Sequence, residues 1–353
     1  MKITDIFITA IEKKASDIFI IAGRPLSYKI MGEIVSENSN PLTADETYLL
    51  VHDIFKIAKK DNINDLYNEG DVDFSFSLPK IGRFRVSAYM QRNSCAAVIR
   101  VVFFDLPDPE KLRIPDVVMN LYKKTKGLVL ITGPAGSGKS TTLACIIDKI
   151  NSQRNCHIMT FEDPIEYIHK HKKSIVSQRE IYTDTKSYVS SLRSALRQAP
   201  DVMLIGEMRD LQTIEIALTA AETGHLVLST LHTTGAANTI DRIIDVFPSS
   251  QQQQIRIQLS MQLQAVISQH LVPSIPHGRV AAFEVMLINT AVSNLIRDSK
   301  VHQLNSVIYS CENQGMQSMD TSILELYKNG LITKDNAMLY ATDPDSMMKK
   351  LIN

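Results

Sequence analysis

Between an apolar segment, Gly127-Leu128-Val129-Leu130-Ile131-Thr132, and a helix-like stretch, Thr141 to Ile150, the chain carries Gly133-Pro134-Ala135-Gly136-Ser137-Gly138-Lys139-Ser140. This is the G-x-x-x-x-G-K-[ST] phosphate loop in the setting it needs: strand, glycine turn, helix. Few short motifs constrain a fold as tightly. The glycines let the backbone curl so that its N–H groups converge on phosphate oxygens, and the following helix adds the positive end of its dipole. Lys139 then reaches the β- and γ-phosphates, and the hydroxyl of Ser140 is placed to ligate Mg²⁺. The nucleotide-binding set is expected to be Gly133, Pro134, Ala135, Gly136, Ser137, Gly138, Lys139, Ser140 and Thr141.

Composition narrows the setting. A chain of 353 residues has room for two or three domains, and 44% hydrophobic content is enough for real cores. Lys plus Arg and Asp plus Glu balance at 38 each, so no bulk attraction to nucleic acid is expected. No apolar run approaches the roughly 20 residues that a membrane span requires. Near the N-terminus Ile3, Ile6, Phe7, Ala10 and Ile11 keep helical spacing, and Asp5 and Glu12 interrupt any signal-peptide core. Cys95, Cys145, Cys156 and Cys311 are scattered without C-x-x-C pairs, as reduced thiols of a cytosolic protein would be.

Residues 1–105 read as a small α+β module. Ser16 to Gly23 and Leu26 to Val35 are expected as strands, and Thr43 to Lys59 as a helix opened by a Thr43/Glu46 capping box. Asp71 to Leu78 and Arg83 to Met90 alternate as hairpin partners about a turn at Pro79 to Gly82, and Ala96 to Phe104 closes the sheet. Pro107, Pro109 and Pro115 mark a linker over 106–116. From 117 to 278 short apolar runs alternate with helices, the pattern of a mostly parallel sheet. The runs are Leu128 to Thr132, His157 to Phe161, Val202 to Gly206 and Leu226 to Thr230. Asp210 reads as the N-cap of a helix ending near Thr223. Residues 279–353 offer a strand, Val280 to Met286, and amphipathic helices; the glutamine run Gln251 to Gln254 falls in a helical pattern.

Strand C-termini are where such a sheet does its chemistry. Phe161-Glu162-Asp163-Pro164-Ile165-Glu166 follows one strand, Gly206-Glu207-Met208-Arg209-Asp210 a second, and Thr230-Leu231-His232-Thr233 a third. Phosphoryl transfer needs Mg²⁺ ligation and a carboxylate that orients the attacking water. Glu207 is the first choice for that carboxylate, with Glu162, Asp163 and Glu166 as a supporting cluster. Many phosphate-loop ATPases carry Asp-Glu at the second strand end. Gly206 stands here in the Asp place, so Mg²⁺ depends on Ser140 and the Glu162/Asp163 region, or on Glu207 itself. His225 and His232 cannot share a metal, because seven residues of extended chain span about 23 Å. His232 lies at the nucleotide end, where it can sense a γ-phosphate; His225 is structural or at an interface. Arg193 and Arg197 are expected on one helical face.

With these residues in hand, the chain resembles the type IV pilus retraction ATPases, the PilT family of the secretion ATPase superfamily, over nearly its whole length. Glu162-Asp163-Pro164-Ile165-Glu166 is similar to the family's aspartate box, Gly206-Glu207-Met208-Arg209-Asp210-Leu211 to its atypical Walker B, and Gly224 to Thr233 to its histidine box. Ala15-Ser16-Asp17-Ile18 and Gly82-Arg83-Phe84-Arg85-Val86 match its PAS-like first domain. Ala291-Val292-Ser293-Asn294-Leu295-Ile296-Arg297-Asp298 resembles the A-I-R-N-L-I-R-E motif associated with retraction, from which Val292, Ser293 and Asp298 depart. Phe19 stands where many relatives have histidine. The four-cysteine zinc element and the extra N-terminal domains of the extension relatives are not in this sequence.

The resemblance implies an α/β protein: a PAS-like α+β domain over 1–105, a linker over 106–116, a RecA-like phosphate-loop ATPase core over 117–278 and a helical region over 279–353. It implies a homohexamer on the cytoplasmic face of the membrane at a pilus base, acting on an inner-membrane platform protein, with Mg²⁺ and ATP between subunits. Arginines of a neighbour's first domain would complete each site in trans, with Arg83 first and Arg85 and Arg100 behind it. Catalysis would then rest on Glu207, Glu162, His232 and Arg83, and the metal on Ser140, Glu162 and Asp163. An accessory ATP-binding subunit and an extension or type II secretion ATPase are the alternatives.

Overall fold

The computed structural model describes residues 2–30, 32–37, 39–60, 63–79, 81–102 and 106–352. The chain divides into one unit of Met1–Asp105 with Glu166–Ile168, and a second of Leu106–Ile165 with His169–Asn353.

In the first unit, β1 (Asp17–Ile20), β2 (Ser27–Ile30), β3 (Glu33–Ser36), β4 (Asp71–Leu78), β5 (Gly82–Gln91) and β6 (Ser94–Val102) form a sheet in the order β3-β2-β1-β6-β5-β4. Neighbouring strands run antiparallel. Period-two alternation on β5 turns Phe84, Val86 and Ala88 into the core, and leaves Arg83, Arg85 and Ser87 on the other face. The helix Ile3–Glu12 buries Ile3, Ile6, Phe7 and Ala10 against that core, with the Phe7 ring stacked on Phe84 at 4.3 Å. The helix Ala44–Ile57 begins with the expected capping box: Glu46 N–H donates to Thr43 Oγ1 at 3.2 Å, and Thr43 N–H to Glu46 Oε2 at 2.8 Å. Leu26 to Val35 is a hairpin rather than one strand, with Ser27 paired to Ser36. The expected Pro79 to Gly82 turn includes Lys80, and the end of the expected 96–104 strand includes Phe103 and Phe104; these three lie outside the described residues.

The second unit is a seven-stranded sheet among the described residues: β7 (Gly127–Thr132), β8 (His157–Glu162), β9 (Ile175–Glu180), β10 (Val202–Ile205), β11 (Leu226–Leu231), β12 (Leu263–Pro273) and β13 (Arg279–Leu287). The order is β13-β12-β7-β11-β10-β8-β9, and only the β12–β13 pair is antiparallel. All residues of β7 and β11 are buried, as central parallel strands covered on both faces require. Ile146, Ile147 and Ile150 of the helix Lys139–Gln153 pack on one face of the sheet. Ile214, Leu218, Ile240 and Ile244, from the helices Leu211–Glu222 and Ala236–Asp245, belong to the other core. Asp210 caps its helix as expected, accepting from Thr213 N–H at 2.8 Å. Strands β9 and β12 are additions to the sequence reading. The helix carrying Arg193 ends at Ala195, so Arg197 lies beyond it, its Nη1 donating to Arg193 O at 3.2 Å.

The C-terminal helices pack Met319, Ile323, Leu326, Ala337 and Met347 against Val272 of β12 and Ala282 of β13. Glu284 of β13, only 9% exposed, accepts from Ala236 N–H at 2.7 Å and also from Met319 N–H. These residues open the helices Ala236–Asp245 and Met319–Lys328. Burial pushes the Glu284 carboxyl above its ordinary value, and the two N–H groups oppose that shift. In the helix Thr290–Arg297, Val292 and Ile296 are buried and Leu295 is half-buried, while Ala291, Asn294 and Arg297, and Asp298 just after the helix, are exposed.

Candidate active site

Strand β7 delivers the chain into a loop whose backbone is held by a neighbouring strand. Gly133 has φ of 139°, and a Cβ there would lie 2.2 Å from Gln269 O and 2.8 Å from Ser137 Oγ. No side chain fits. Gln269, on β12, is a residue that the sequence reading missed. Its Oε1 accepts from Thr142 Oγ1 at 2.8 Å, so one side chain braces the loop and the helix after it. Lys139, 8% exposed, donates its ammonium to Gly133 O at 2.8 Å and Pro134 O at 2.9 Å. The charge is thereby held inside the curl of the loop. Ser140 and Thr141 are half-buried on the first turn of the helix Lys139–Gln153, and Pro134, Ala135 and Gly136 are exposed at the loop's tip. Gly138, Thr141 and Thr142 also line a cavity of about 290 Å³ with apolar walls (Leu112, Leu271, Phe283) and a cationic rim (Arg113, Arg279). Apolar walls with a few polar groups are the usual lining of small-molecule sites.

The second and third strand ends are tied together. Met208 N–H donates to Thr230 O at 3.1 Å, Thr230 Oγ1 to Gly206 O at 2.5 Å, and Ser229 Oγ to Ile205 O at 2.8 Å. These bonds bring Glu207 and His232 to one place, Glu207 Oε2 lying 3.3 Å from His232 Nε2. The other carboxylate oxygen, Oε1, pairs with Arg209 Nη2 at 2.5 Å. The Glu207 side chain is 11% exposed while that of Arg209 is 72% exposed, so the pair places a shielded carboxylate under a solvated guanidinium. His225 sits at the opposite end of β11, its Nδ1 hydrogen-bonded to Ala220 O at 2.9 Å.

Glu162 ends β8, with Oε1 accepting from Thr160 Oγ1 at 2.6 Å and from Gln178 Nε2 at 3.3 Å. Asp163 is exposed; Glu166, also exposed, groups with the first unit. Gly206 has a steric origin. A Cβ there would stand 2.8 Å from Tyr188 Oη and 3.2 Å from Phe161 O. Tyr188 is therefore a second residue the sequence reading missed. Burial first, then the charges of Glu207, Asp163 and Glu162, push its phenol far above the ordinary tyrosine range.

The arginines of the first unit share a face. Arg85 and Arg100 are cross-strand partners, and Arg83 lies two residues from Arg85 on β5. Arg83 Nη1 donates to Ser77 Oγ at 3.2 Å, and Arg100 Nε meets Asp17 Oδ1 at 3.1 Å.

Comparison with known proteins gives consistent results. The family model described as type II/IV secretion system protein matches residues 1–342. The type IV pilus retraction ATPase PilT of Pseudomonas aeruginosa is 44% identical over 346 residues, which cover 98% of this chain and 100% of the relative. A twitching motility protein of Neisseria gonorrhoeae is 45% identical over 321 residues, 90% of this chain and 85% of the relative. The crystal structure of the pilus retraction motor PilT with bound ADP superposes with a TM-score of 0.91 at 48% identity, covering 99% of both chains. With its phosphate loop, glutamate-bearing strand end and histidine box in one α/β unit, the chain belongs to the type II/IV secretion system protein family and, within it, to the PilT-type pilus retraction ATPases.

Proposed function

We propose that this chain is a motor ATPase that hydrolyses ATP to drive disassembly and retraction of a type IV pilus, and with it twitching motility. The observation that carries this reading is the convergence of Glu207 and His232 in the same unit as the phosphate loop. Lys139 leaves its carbonyl partners for the β- and γ-phosphates, which offer charged oxygens in place of neutral ones. The Glu207 carboxylate orients the attacking water and takes its proton: Arg209 holds Oε1, while Oε2, 3.3 Å from His232 Nε2 but without a hydrogen-bond partner, is left for the water. His232 answers the loss of the γ-phosphate because it touches the base directly.

Among the described residues no cluster of three His, Cys, Asp or Glu side chains is arranged to hold a metal. The donors this reading assigns to the metal, the Ser140 hydroxyl and the Glu162 and Asp163 carboxylates at other strand ends of the same sheet, are hard oxygens of the kind Mg²⁺ takes when phosphate and water supply the rest. Bound there, Mg²⁺ would neutralise charge developing on the phosphates.

The working form in this reading is a homohexamer at the cytoplasmic face of the membrane, acting on the platform protein of the pilus. Among the described residues no helix is long and apolar enough to cross a membrane. Residues 1–105 serve as a PAS-like domain that lends Arg83 to a neighbour's site, 117–278 as the ATPase core and 279–353 as the region that transmits motion. The experiment that tests the function is a deletion strain. Loss of retraction leaves surface pili abundant and abolishes twitching; a strain left without pili would show that the chain drives extension.

The shared site has its own test. Arg83→Ala is expected to lower kcat by about 10²-fold, the scale of losing one charge-stabilising donor, with the hexamer intact. Mixing it with Lys139→Ala subunits should restore some turnover, because mixed interfaces can pair an intact loop with an intact arginine. No rescue despite proven subunit exchange would remove Arg83 from the neighbour's site.

A further inference from the structure

We propose that the Tyr188 hydroxyl positions the water that Glu207 activates, from the space that a Walker B aspartate would otherwise fill. The inference rests on the reading of Glu207 as the base and adds a second group to it.

Tyr188 opens the helix Tyr188–Ala195, whose start is fixed by Ser187 Oγ accepting from Ser190 N–H at 3.2 Å. Its ring packs against the apolar core that includes Met159, Phe161, Ile205 and Met208, which sets the direction of the phenol. The hydroxyl reaches the strand end itself, 2.8 Å from where a Cβ of residue 206 would be. Glycine at 206 and tyrosine at 188 are thus one arrangement. A side chain at 206 would meet the phenol and crowd Phe161 O as well, so glycine leaves room for both.

The exchange alters the chemistry available. Glu162, Asp163 and Glu207 are near enough to shift the phenol's ionisation, and ionised carboxylates only accept hydrogen bonds. A phenol donates one and accepts on its oxygen. An attacking water gives one hydrogen to Glu207 and needs an acceptor for the other. The phenol oxygen takes that second hydrogen, so both O–H directions of the water are fixed and a lone pair is left for phosphorus. Being neutral, it adds no further negative charge beside the γ-phosphate, which a fourth carboxylate would. The phenol holds its proton throughout, and no group is oxidised or transferred by it.

Tyr188→Phe keeps the ring and deletes the hydroxyl. The expected result is a fall in kcat of about 30-fold, within the range that misplacing a reacting group produces. The KM for ATP, the affinity for a fluorescent non-hydrolysable ATP analogue and the melting temperature should stay unchanged. A kcat retained to within about fivefold overturns the proposal. So does a fall accompanied by loss of analogue binding and thermal stability, since the hydroxyl would then be serving the fold. Glu207→Gln measured beside it separates the two readings. Normal turnover in Glu207→Gln removes the base and this inference together, whereas an inactive Glu207→Gln with a normal Tyr188→Phe removes only the tyrosine.

Discussion

Lys139→Ala is expected to abolish ATP turnover, with kcat/KM falling by about 10³-fold or more. The ammonium sits within the loop on the carbonyls of Gly133 and Pro134, and it is the cation that the motif brings to the β- and γ-phosphates. Alanine leaves the backbone N–H groups in place but removes the charge that stabilises the transferring phosphoryl group. Both nucleotide affinity and the chemical step should suffer, because the lysine contacts phosphate in the ground state as well as in the transition state. Purified protein in a coupled-enzyme assay, with equilibrium binding of an ATP analogue, checks both. Turnover within tenfold of the parent would mean that the loop does not serve hydrolysis.

Glu207→Gln should part binding from chemistry. Glutamine matches the shape of glutamate and keeps an acceptor for Arg209, so ATP should bind near normally. Without a carboxylate to orient the water and take its proton, kcat should fall by about 10²- to 10⁴-fold with KM little changed. A protein that binds and holds ATP without turning it over is the expected product. If Glu207→Gln keeps near-normal kcat while Glu162→Gln is inactive, the base lies at the end of β8 instead of β10.

The elements legible in the sequence were those with a local chemical signature. The phosphate loop, the Thr43/Glu46 capping box and the Asp210 cap each rest on hydrogen bonds within a few residues. The buried strands β7, β10 and β11 read as short apolar runs. Strand β12 did not, because the helix Ser249–Gln262 passes into it at Leu263 with no glycine or proline between them. Strand β9 was hidden by its own composition: it is a sheet edge with Ser177, Gln178, Arg179 and Glu180 among its six residues. The same long-range logic governs the site. Glu207 and His232 could be proposed from strand ends, but Gln269 and Tyr188 could not. One bonds Thr142 from a strand 127 positions later, and the other meets Gly206 through packing alone.

Glu284 ties the helix that comes just after the histidine box and a helix of the C-terminal region to one strand. Its carboxylate holds the first N–H of the helix that follows Gly235 and the first N–H of the helix that follows Ser318. Ser268, its cross-strand partner, accepts from Gly235 N–H at 3.0 Å and stiffens the same joint. A charge-assisted bond of this kind contributes about 1.5–3 kcal/mol, more than thermal motion breaks cheaply. Displacing either helix start from β13 must break one of these bonds, so the two helices are pinned to one point of the sheet.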